Sequence, residues 1–309
     1  MKYLVLLIIS YLLHSEIVPE KTLEKCSTHL KSKELFRLFS DTKYNIFNPS
    51  IILNDGKIIV CARCSTFSCK SVSTHINGLF NYKSDIFFIN IENKNNYKIT
   101  YNHTDSKIGL EDPRMIKYND GYLICLTECD HKILGEKTIK PVIHTYDMNY
   151  NLLRKIHFKN DVTGNKNWCP FIHNEKIMIH THTYPIWKVI KINEKVVVEQ
   201  NVEKMFKIKN MFLRCSTSWK PFNDKYYICG LHTKTYGFYP TIRSMLVLIN
   251  RISLLPEKYT EIFCMGDNHE RIQFLSGLET DDFYVYLAYG VSDWKMVIKR
   301  IAKYRLSFK

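Results

Sequence analysis

The sequence lacks the motifs that identify several common classes of enzyme and binding protein. It contains no glycine-rich phosphate loop, no serine nucleophile elbow and no His-Glu-x-x-His motif. Its 44 lysines and arginines exceed its 30 acidic residues and give a net charge of +14. No five basic residues follow one another, however, and no cluster of interleaved basic and aromatic residues appears. We therefore expect no nucleic-acid partner, and the charge indicates a lysine-rich surface or a small substrate that carries phosphate.

Paired Cys-x-x-Cys motifs at the spacing of a zinc ribbon are also absent, because Cys61-x-x-Cys64 stands alone. The ten cysteines are an even number, which is compatible with disulfides but defines no pairing. His180 and His182 alternate on a predicted strand and so face one side of it, but a third metal ligand is not evident. We predict no metal, and a channel-lining role for one of these two histidines.

Long hydrophobic runs are missing apart from one at the N-terminus. One lysine precedes the apolar residues 3–13, a run too short for a spanning helix, which needs about 20 residues, but suited to a signal peptide. We predict a signal peptide or membrane anchor over residues 1–15, and hence a protein of the endoplasmic reticulum, the Golgi lumen or the secreted fraction. The single glycosylation sequon begins at Asn102 and agrees with that localisation. Residues 16–44 have the pattern of a short helical segment.

From residue 45 onward one pattern recurs five times: a polar motif, a strand, a tight turn, a second strand and further polar residues. The turns are at Asn54-Asp55-Gly56, Asn119-Asp120-Gly121, Asn174-Glu175, Asn223-Asp224 and Asp281-Asp282. Such turns between apolar runs predict hairpins, and the spacing of about 45 to 65 residues leaves room for four strands per unit. We therefore predict an all-β, five-bladed β-propeller over residues 45–305 with a short N-terminal helical leader, in preference to five unrelated hairpins in a sandwich.

The polar motifs resemble those of glycoside hydrolase family 130, the β-mannoside phosphorylases and hydrolases, and of related β-mannosyltransferases. The matching residues, in the family's order, are Asn48-Pro49-Ser50 with Arg63, Glu111-Asp112-Pro113-Arg114, Lys166-Asn167-Trp168 with Pro170-Phe171, Arg214 with Thr217, His232, and Tyr289-Gly290-Val291-Ser292-Asp293. Where the family often has Arg-Gly-Gly-Thr, this chain has Arg214-Cys215-Ser216-Thr217. The resemblance implies a five-bladed propeller enzyme that transfers or phosphorolyses β-mannosyl units with inversion.

The resemblance also implies that Asp112 is the general acid and delivers its proton through a hydroxyl of the bound mannose. Inversion requires such an acid near the leaving oxygen and a nucleophile on the opposite face of the sugar. A phosphate-bearing nucleophile or donor requires arginine forks and further donors. The residues predicted to bind substrate or phosphate are Arg63, Arg114, Lys166, Asn167, Arg214, His232, Tyr239 and Arg243. Those predicted to position the sugar are Asn48, Glu111, Trp168 and Asp293.

Hydrolysis would instead require a carboxylate base opposite Asp112, and Glu128, Asp130 and Asp293 are the candidates at equivalent hairpin ends. The surplus of cations favours phosphorolysis or transfer. We expect no cofactor: phosphate, a sugar 1-phosphate or a nucleotide sugar is the co-substrate, and an oligosaccharide or glycoside is the partner. A non-catalytic propeller that binds glycans or a protein is the main alternative, and nucleic-acid binding is a weaker one.

Overall fold

Five sheets, antiparallel except for one short parallel pairing, account for nearly all of the residues that the computed structural model describes. Those residues are 28–29, 32–39, 45–65, 84–93, 96–101, 109–130, 138–158, 166–206, 213–234, 241–265 and 272–309. Within them the strands are β1 (Thr28–His29), β2 (Lys33–Phe39), β3 (Asn45–Asn54), β4 (Lys57–Ser65), β5 (Ser84–Asn93), β6 (Asn96–Tyr101), β7 (Gly109–Tyr118), β8 (Gly121–Asp130), β9 (Thr138–Asp147), β10 (Leu152–His157), β11 (Cys169–His173), β12 (Lys176–His182), β13 (Ile186–Lys191), β14 (Val196–Asn201), β15 (Leu213–Cys215), β16 (Lys220–Pro221), β17 (Tyr226–Lys234), β18 (Ile242–Asn250), β19 (Pro256–Tyr259), β20 (Phe263–Cys264), β21 (Gln273–Thr280), β22 (Tyr284–Val291) and β23 (Lys295–Ala302). The one helix among these residues is a 3-10 turn, Lys303–Arg305.

The sheets are the five blades of a propeller. Blades 1, 2 and 3 use four consecutive strands each: β3 to β6, β7 to β10, and β11 to β14. In blade 4 the short β15 and β16 both pair with β17, which pairs with β18, and β19 and β20 lie on the far side of β18. Blade 5 runs β21, β22, β23, β2. The ring closes because β21 contacts β3 of blade 1, so the predicted five-bladed architecture is confirmed.

The helical segment predicted over residues 16–44 is wrong in the part that the structure describes, and residues 16–27 lie outside that part. Residues 33–39 form the strand β2, not a helix, and pair with β23 as the outermost strand of the last blade. Phe36 and Leu38 are buried and Arg37 between them is exposed, which is the alternation of a strand. The backbone N–H and C=O groups of a strand need hydrogen-bond partners on a neighbouring strand, and the edge of β23 supplies them here. Residues 1–15 lie outside the described residues.

No helix in the described part of the chain is long and apolar enough to cross a membrane.

The core consists of apolar clusters, one between each pair of neighbouring blades. Aromatic residues dominate two of them: Phe88, Tyr122 and Tyr146 between blades 1 and 2, and Trp187 and Trp219 between blades 3 and 4. Burying each such side chain contributes roughly 1.5–3 kcal/mol, so the blade interfaces stabilise the ring.

The eight cysteines that the structure describes are all buried, and no disulfide joins any two of them. Cys61 and Cys64 are therefore not bonded to each other.

Phe36→Ala tests whether β2 completes the ring. Phe36 is 1% exposed in the cluster that joins blade 5 to blade 1, so its truncation is expected to lower the free energy of unfolding by about 3–5 kcal/mol in urea denaturation. Arg37→Ala, on the opposite face of the strand, removes an exposed ion pair with Glu34 and is expected to cost less than about 1 kcal/mol. Similar losses in both variants would contradict the closure.

Candidate active site

Two β-bulges at the same place in blades 1 and 2 create the centre of the site. On β3 the register shifts between Phe47 and Ser50, and on β7 it shifts between Glu111 and Arg114. The bulged residues are therefore Asn48-Pro49 and Asp112-Pro113. Asn48 and Asp112 have φ angles of 49° and 51°, in the left-handed region that asparagine and aspartate adopt more readily than most residues. Proline suits the next position, because a bulge leaves a backbone N–H without a ladder partner.

The two bulges bring Asn48 and Asp112 into direct contact. Asn48 Nδ2 donates a hydrogen bond of 2.8 Å to Asp112 Oδ1, and both side chains are buried. Gly290 on β22 makes room for this pair: a Cβ at that position would lie 2.4 Å from Asn48 Oδ1 and 2.7 Å from Asn48 N. Gly290 thus affects the position of Asp112 through Asn48. Gly290, Asn48 and Asp112 come from blades 5, 1 and 2 and connect these blades.

Two cations bridge the paired acids. Arg63 on β4 places Nη2 at 2.9 Å from Glu111 Oε1 and Nη1 at 3.3 Å from Asp112 Oδ1. Lys166, which precedes β11, places Nζ at 3.6 Å from Glu111 Oε2 and 3.5 Å from Asp112 Oδ2. Ser84 accepts a hydrogen bond from Arg63 Nε and so orients the guanidinium. We call Arg63, Glu111, Asp112 and Lys166 the charge cluster.

The charge cluster keeps Asp112 ionised. Burial alone would raise the pKa of Asp112, but Lys166 and Arg63 outweigh burial and lower that pKa to about 2. In the same way the carboxylates of Asp112 and Glu111 overcome burial and raise the pKa of Lys166. In the unliganded site Asp112 is therefore a carboxylate at neutral pH.

A second group of polar residues lies around Phe274 on β21. The Arg114 guanidinium is 5.3 Å from the centre of this ring, and His232 on β17 packs edge-to-face against it at 4.7 Å. Arg114 is fully buried, and its Nη2 donates to Asn167 Oδ1 at 3.4 Å. In the described part of the chain no carboxylate forms an ion pair with Arg114. Arg114 thus extends from blade 2 toward blades 3 and 5.

His232 is not a cation at neutral pH. Burial, followed by the charges of Arg214 and Arg114, lowers its pKa well below the usual value. Its Nδ1 lies 2.7 Å from Ser216 Oγ. Any contribution of His232 to anion binding is therefore a hydrogen bond rather than a charge.

The remaining predicted site residues occupy different positions. Arg214 is exposed on β15, opposite His232. Asp293 lies near Arg63. Burial lowers the pKa of Arg63, but the carboxylates of Glu111, Asp112 and Asp293 outweigh burial and raise that pKa. Arg243 is on β18, two strands from the innermost strand, where Nη1 donates to Ile242 O. Trp168 is 4% exposed and packs edge-to-face on Phe158 in the core between blades 2 and 3, so its position gives no support to a sugar-positioning role.

Tyr239 falls outside the described residues. Glu128 and Asp130 are the other two candidate bases for hydrolysis. Glu128 is half-buried and lies 3.9 Å from His157. The Asp130 side chain falls outside the described part of the structure.

His180 lies in the core, not along the channel. Its ring is 4.0 Å from that of Trp187 and 5.3 Å from that of Trp219, and Trp219 Nε1 donates to its Nδ1. Burial lowers the pKa of His180 to about 3, so the ring is neutral. Among the residues that the structure describes, no three His, Cys, Asp or Glu side chains come together to hold a metal ion.

Several residues of the site were not predicted from the sequence. They are Phe47 beneath Arg63, Ser84, Ser216 and Phe274. Phe47 precedes the Asn-Pro-Ser motif directly, so its position could have been inferred from the repeat. A single serine or phenylalanine carries no comparable signal elsewhere.

Comparison with known proteins gives one family match and several structural matches. The sequence profile of a glycoside hydrolase family described as beta-1,4-mannooligosaccharide phosphorylase matches residues 26–306. A curated protein with a matching sequence was not found.

Three solved structures illustrate the likeness. A β-1,2-mannobiose phosphorylase from Listeria innocua is 10% identical with a TM-score of 0.58, over 85% of this chain and 91% of that one. A glycosyl hydrolase from Bacteroides ovatus is 14% identical with a TM-score of 0.58, over 85% of each chain. A hypothetical protein from Leishmania major is 13% identical with a TM-score of 0.60, over 94% of this chain and 97% of that one. At these identities the likeness shows the fold alone.

Gly290→Ala tests the packing behind Asp112. The added Cβ would meet Asn48 backbone and side-chain atoms, so we expect Asn48 to shift and catalytic turnover, or ligand affinity, to fall more than tenfold. Gly230→Ala is the matched control, because its Cβ would meet the side chains of Leu275 and Thr217 rather than backbone atoms. Comparable losses of function in the two variants, measured at equal fractions folded, would contradict a specific role for Gly290.

The buried His180 predicts a pH dependence of stability. In the unfolded chain this histidine takes up a proton below its ordinary pKa near 6.5, whereas in the folded protein it does so only near pH 3. The free energy of unfolding is therefore expected to fall by about 1.4 kcal/mol per pH unit from this group as the pH decreases through that range. Urea denaturation between pH 7 and 4 would measure the slope. His180→Gln should reduce it, and an unchanged slope would refute this assignment.

Proposed function

The chain belongs to glycoside hydrolase family 130, a family of mannoside phosphorylases and hydrolases, and from this premise we propose that it transfers or phosphorolyses β-mannosyl or closely related units with inversion. The observation that carries the proposal is the charge cluster, in which Arg63 and Lys166 contact the two oxygens of a buried Asp112, to which Asn48 also donates a hydrogen bond. Asp112 and Glu111 are thereby held between cations that suit a phosphate-bearing substrate.

Asp112 is the proton carrier of the reaction. In phosphorolysis a phosphate oxygen attacks the anomeric carbon, the glycosidic C–O bond breaks, and the proton of Asp112 passes to the leaving oxygen. In synthesis the hydroxyl of an acceptor sugar attacks the anomeric carbon of the donor, the phosphate-bearing group leaves, and the hydroxyl proton passes to the Asp112 carboxylate. The low pKa of Asp112 keeps it ionised, which is the state required for synthesis.

The anion is held by cations from three blades. Arg63 and Lys166 are the charged members next to Asp112, and Arg114 is a buried guanidinium without a carboxylate partner in the described residues. A buried cation of that kind is costly unless it is paired, so an arriving phosphoryl group would stabilise it. Asn167 orients the Arg114 fork, and Arg214 at the exposed rim suits a larger nucleotide-linked donor.

Asn48 and Asp293 contribute to sugar binding from the first and last blades. Asn48 donates its amide to Asp112, while its Oδ1 is buried without a hydrogen-bond partner in the described residues. That oxygen can accept a hydrogen bond from a sugar hydroxyl, and so compensate its desolvation. Asp293 follows the glycine motif and lies near Arg63, within the same part of the pocket.

A product assay with an Asp112→Asn variant tests the proposal. Asparagine keeps the left-handed backbone and the acceptor oxygen for Asn48 but cannot carry the proton, so we expect a rate about 10²- to 10⁴-fold lower. The purified protein would be incubated with mannose 1-phosphate or GDP-mannose and short mannosides, and new β-mannosides would be quantified. Asp120→Asn, in the exposed turn of the same hairpin, is the matched control.

The donor that yields product distinguishes phosphorylase from transferase. Release of free mannose from mannosides in the absence of phosphate would indicate hydrolysis instead. Full activity in Asp112→Asn, or no turnover of any mannosyl substrate by folded wild-type protein, would contradict the proposal.

A further inference from the structure

Glu111 is buried beside Asp112, and each of its oxygens contacts a cation. Oε1 lies 2.9 Å from Arg63 Nη2 and Oε2 lies 3.6 Å from Lys166 Nζ, while the side chain is 2% exposed. A carboxylate in this position presents two oxygens to an arginine and a lysine, as a phosphoryl group does when it binds such a pair.

The same two cations also contact Asp112. Arg63 Nη1 is 3.3 Å from Oδ1 and Lys166 Nζ is 3.5 Å from Oδ2. An anion that binds Arg63 and Lys166 must therefore share them with two carboxylates, and like charges within one site repel strongly.

Lys166 is where the cluster is accessible. Its side chain is 30% exposed, against 10% for Arg63 and less than 5% for Glu111 and Asp112. An incoming anion can thus contact Lys166 first without displacing a buried group. Further charged or titratable groups around the cluster are Arg114, Asp293, Cys129, Arg214 and the neutral His232.

We propose that Glu111 is a positioning residue that holds Arg63 and Lys166 together before substrate binds and gives them up to the phosphoryl anion when it does. This rests on the proposed function, because it assumes that the substrate carries a phosphoryl group. Glu111 and the anion thus compete for the same two cations.

The exchange has a consequence for Asp112. When the anion takes a share of Arg63 and Lys166, Asp112 loses part of its countercharge and gains a negative neighbour. Both changes favour the protonated carboxyl, which is the form that phosphorolysis uses. Anion binding and proton uptake are therefore linked in the same cluster.

Sulfate binding to the Glu111→Gln variant tests the proposal. Glutamine keeps an oxygen for Arg63 but removes the competing charge, so we expect sulfate to bind about tenfold more tightly than to wild type at pH 7, measured by isothermal titration calorimetry. Sulfate is the probe because it has no proton to lose near neutral pH. Glu279→Gln is the matched control, since Glu279 is another buried glutamate paired with a lysine, Lys220 at 2.7 Å, at the far end of β21.

The pH dependence gives a second readout that a merely structural role would not change. Sulfate affinity of the wild type should increase as the pH falls from 7 toward the low pKa of Asp112, because anion binding favours its protonated form, and this increase should be smaller in Glu111→Gln. Equal or weaker sulfate binding by Glu111→Gln, with wild type binding normally, would overturn this inference and leave the proposed function intact. Absence of sulfate binding in both proteins would refute the anion site itself, and with it both proposals.

Discussion

The buried ion pairs between two adjacent acids and two cations are the interaction on which the rest of the structure depends. Glu111 and Asp112 come from blade 2, Arg63 comes from blade 1, and Lys166 precedes blade 3. Charges removed from water are tolerated only when their partners are held in place. The cluster therefore requires three blades to be held at fixed relative positions, and the apolar interfaces between the blades hold them there.

The second layer of the site is built from backbone shape rather than from charge. The bulges at Asn48 and Asp112 turn two side chains toward each other, and Ser276 Oγ donates to Pro49 O from a bulge on β21. Glycines lie where these bulges meet their neighbours: a Cβ on Gly277 would be 2.6 Å from Pro49 O. The position of Asp112 thus depends on Asn48 and on the prolines and glycines that shape the bulges around it.

The sequence predicted the blades well, because hairpins depend on local patterns: Asn-Asp-Gly turns define hairpins by their own conformational preference. It also singled out Glu111 and Asp112 through a motif that resembles a known family, and the structure places these two acids together with Arg63 and Lys166. The positions of other residues could not be predicted, because contacts made in the folded protein determine them. Residues 33–39 form a strand because β23 has a free edge, Trp168 and His180 lie in the core because neighbouring blades cover them, and Phe274 reaches Arg114 across the ring. The partners in the β2–β23 pairing and in the Arg114–Phe274 contact are far apart in sequence, so no local pattern reveals them.

The pairing of β2 with β23 also determines when the protein can be complete during its synthesis. The ribosome makes β2 first and its partner about 260 residues later, which at typical rates is an interval on the order of ten to fifty seconds. Throughout that interval β2 has no sheet to join, and blade 1 has no neighbour on one side. An unpaired apolar strand invites pairing with other chains. The pocket that unites blades 1, 2, 3 and 5 therefore forms only after the final hairpin has been released.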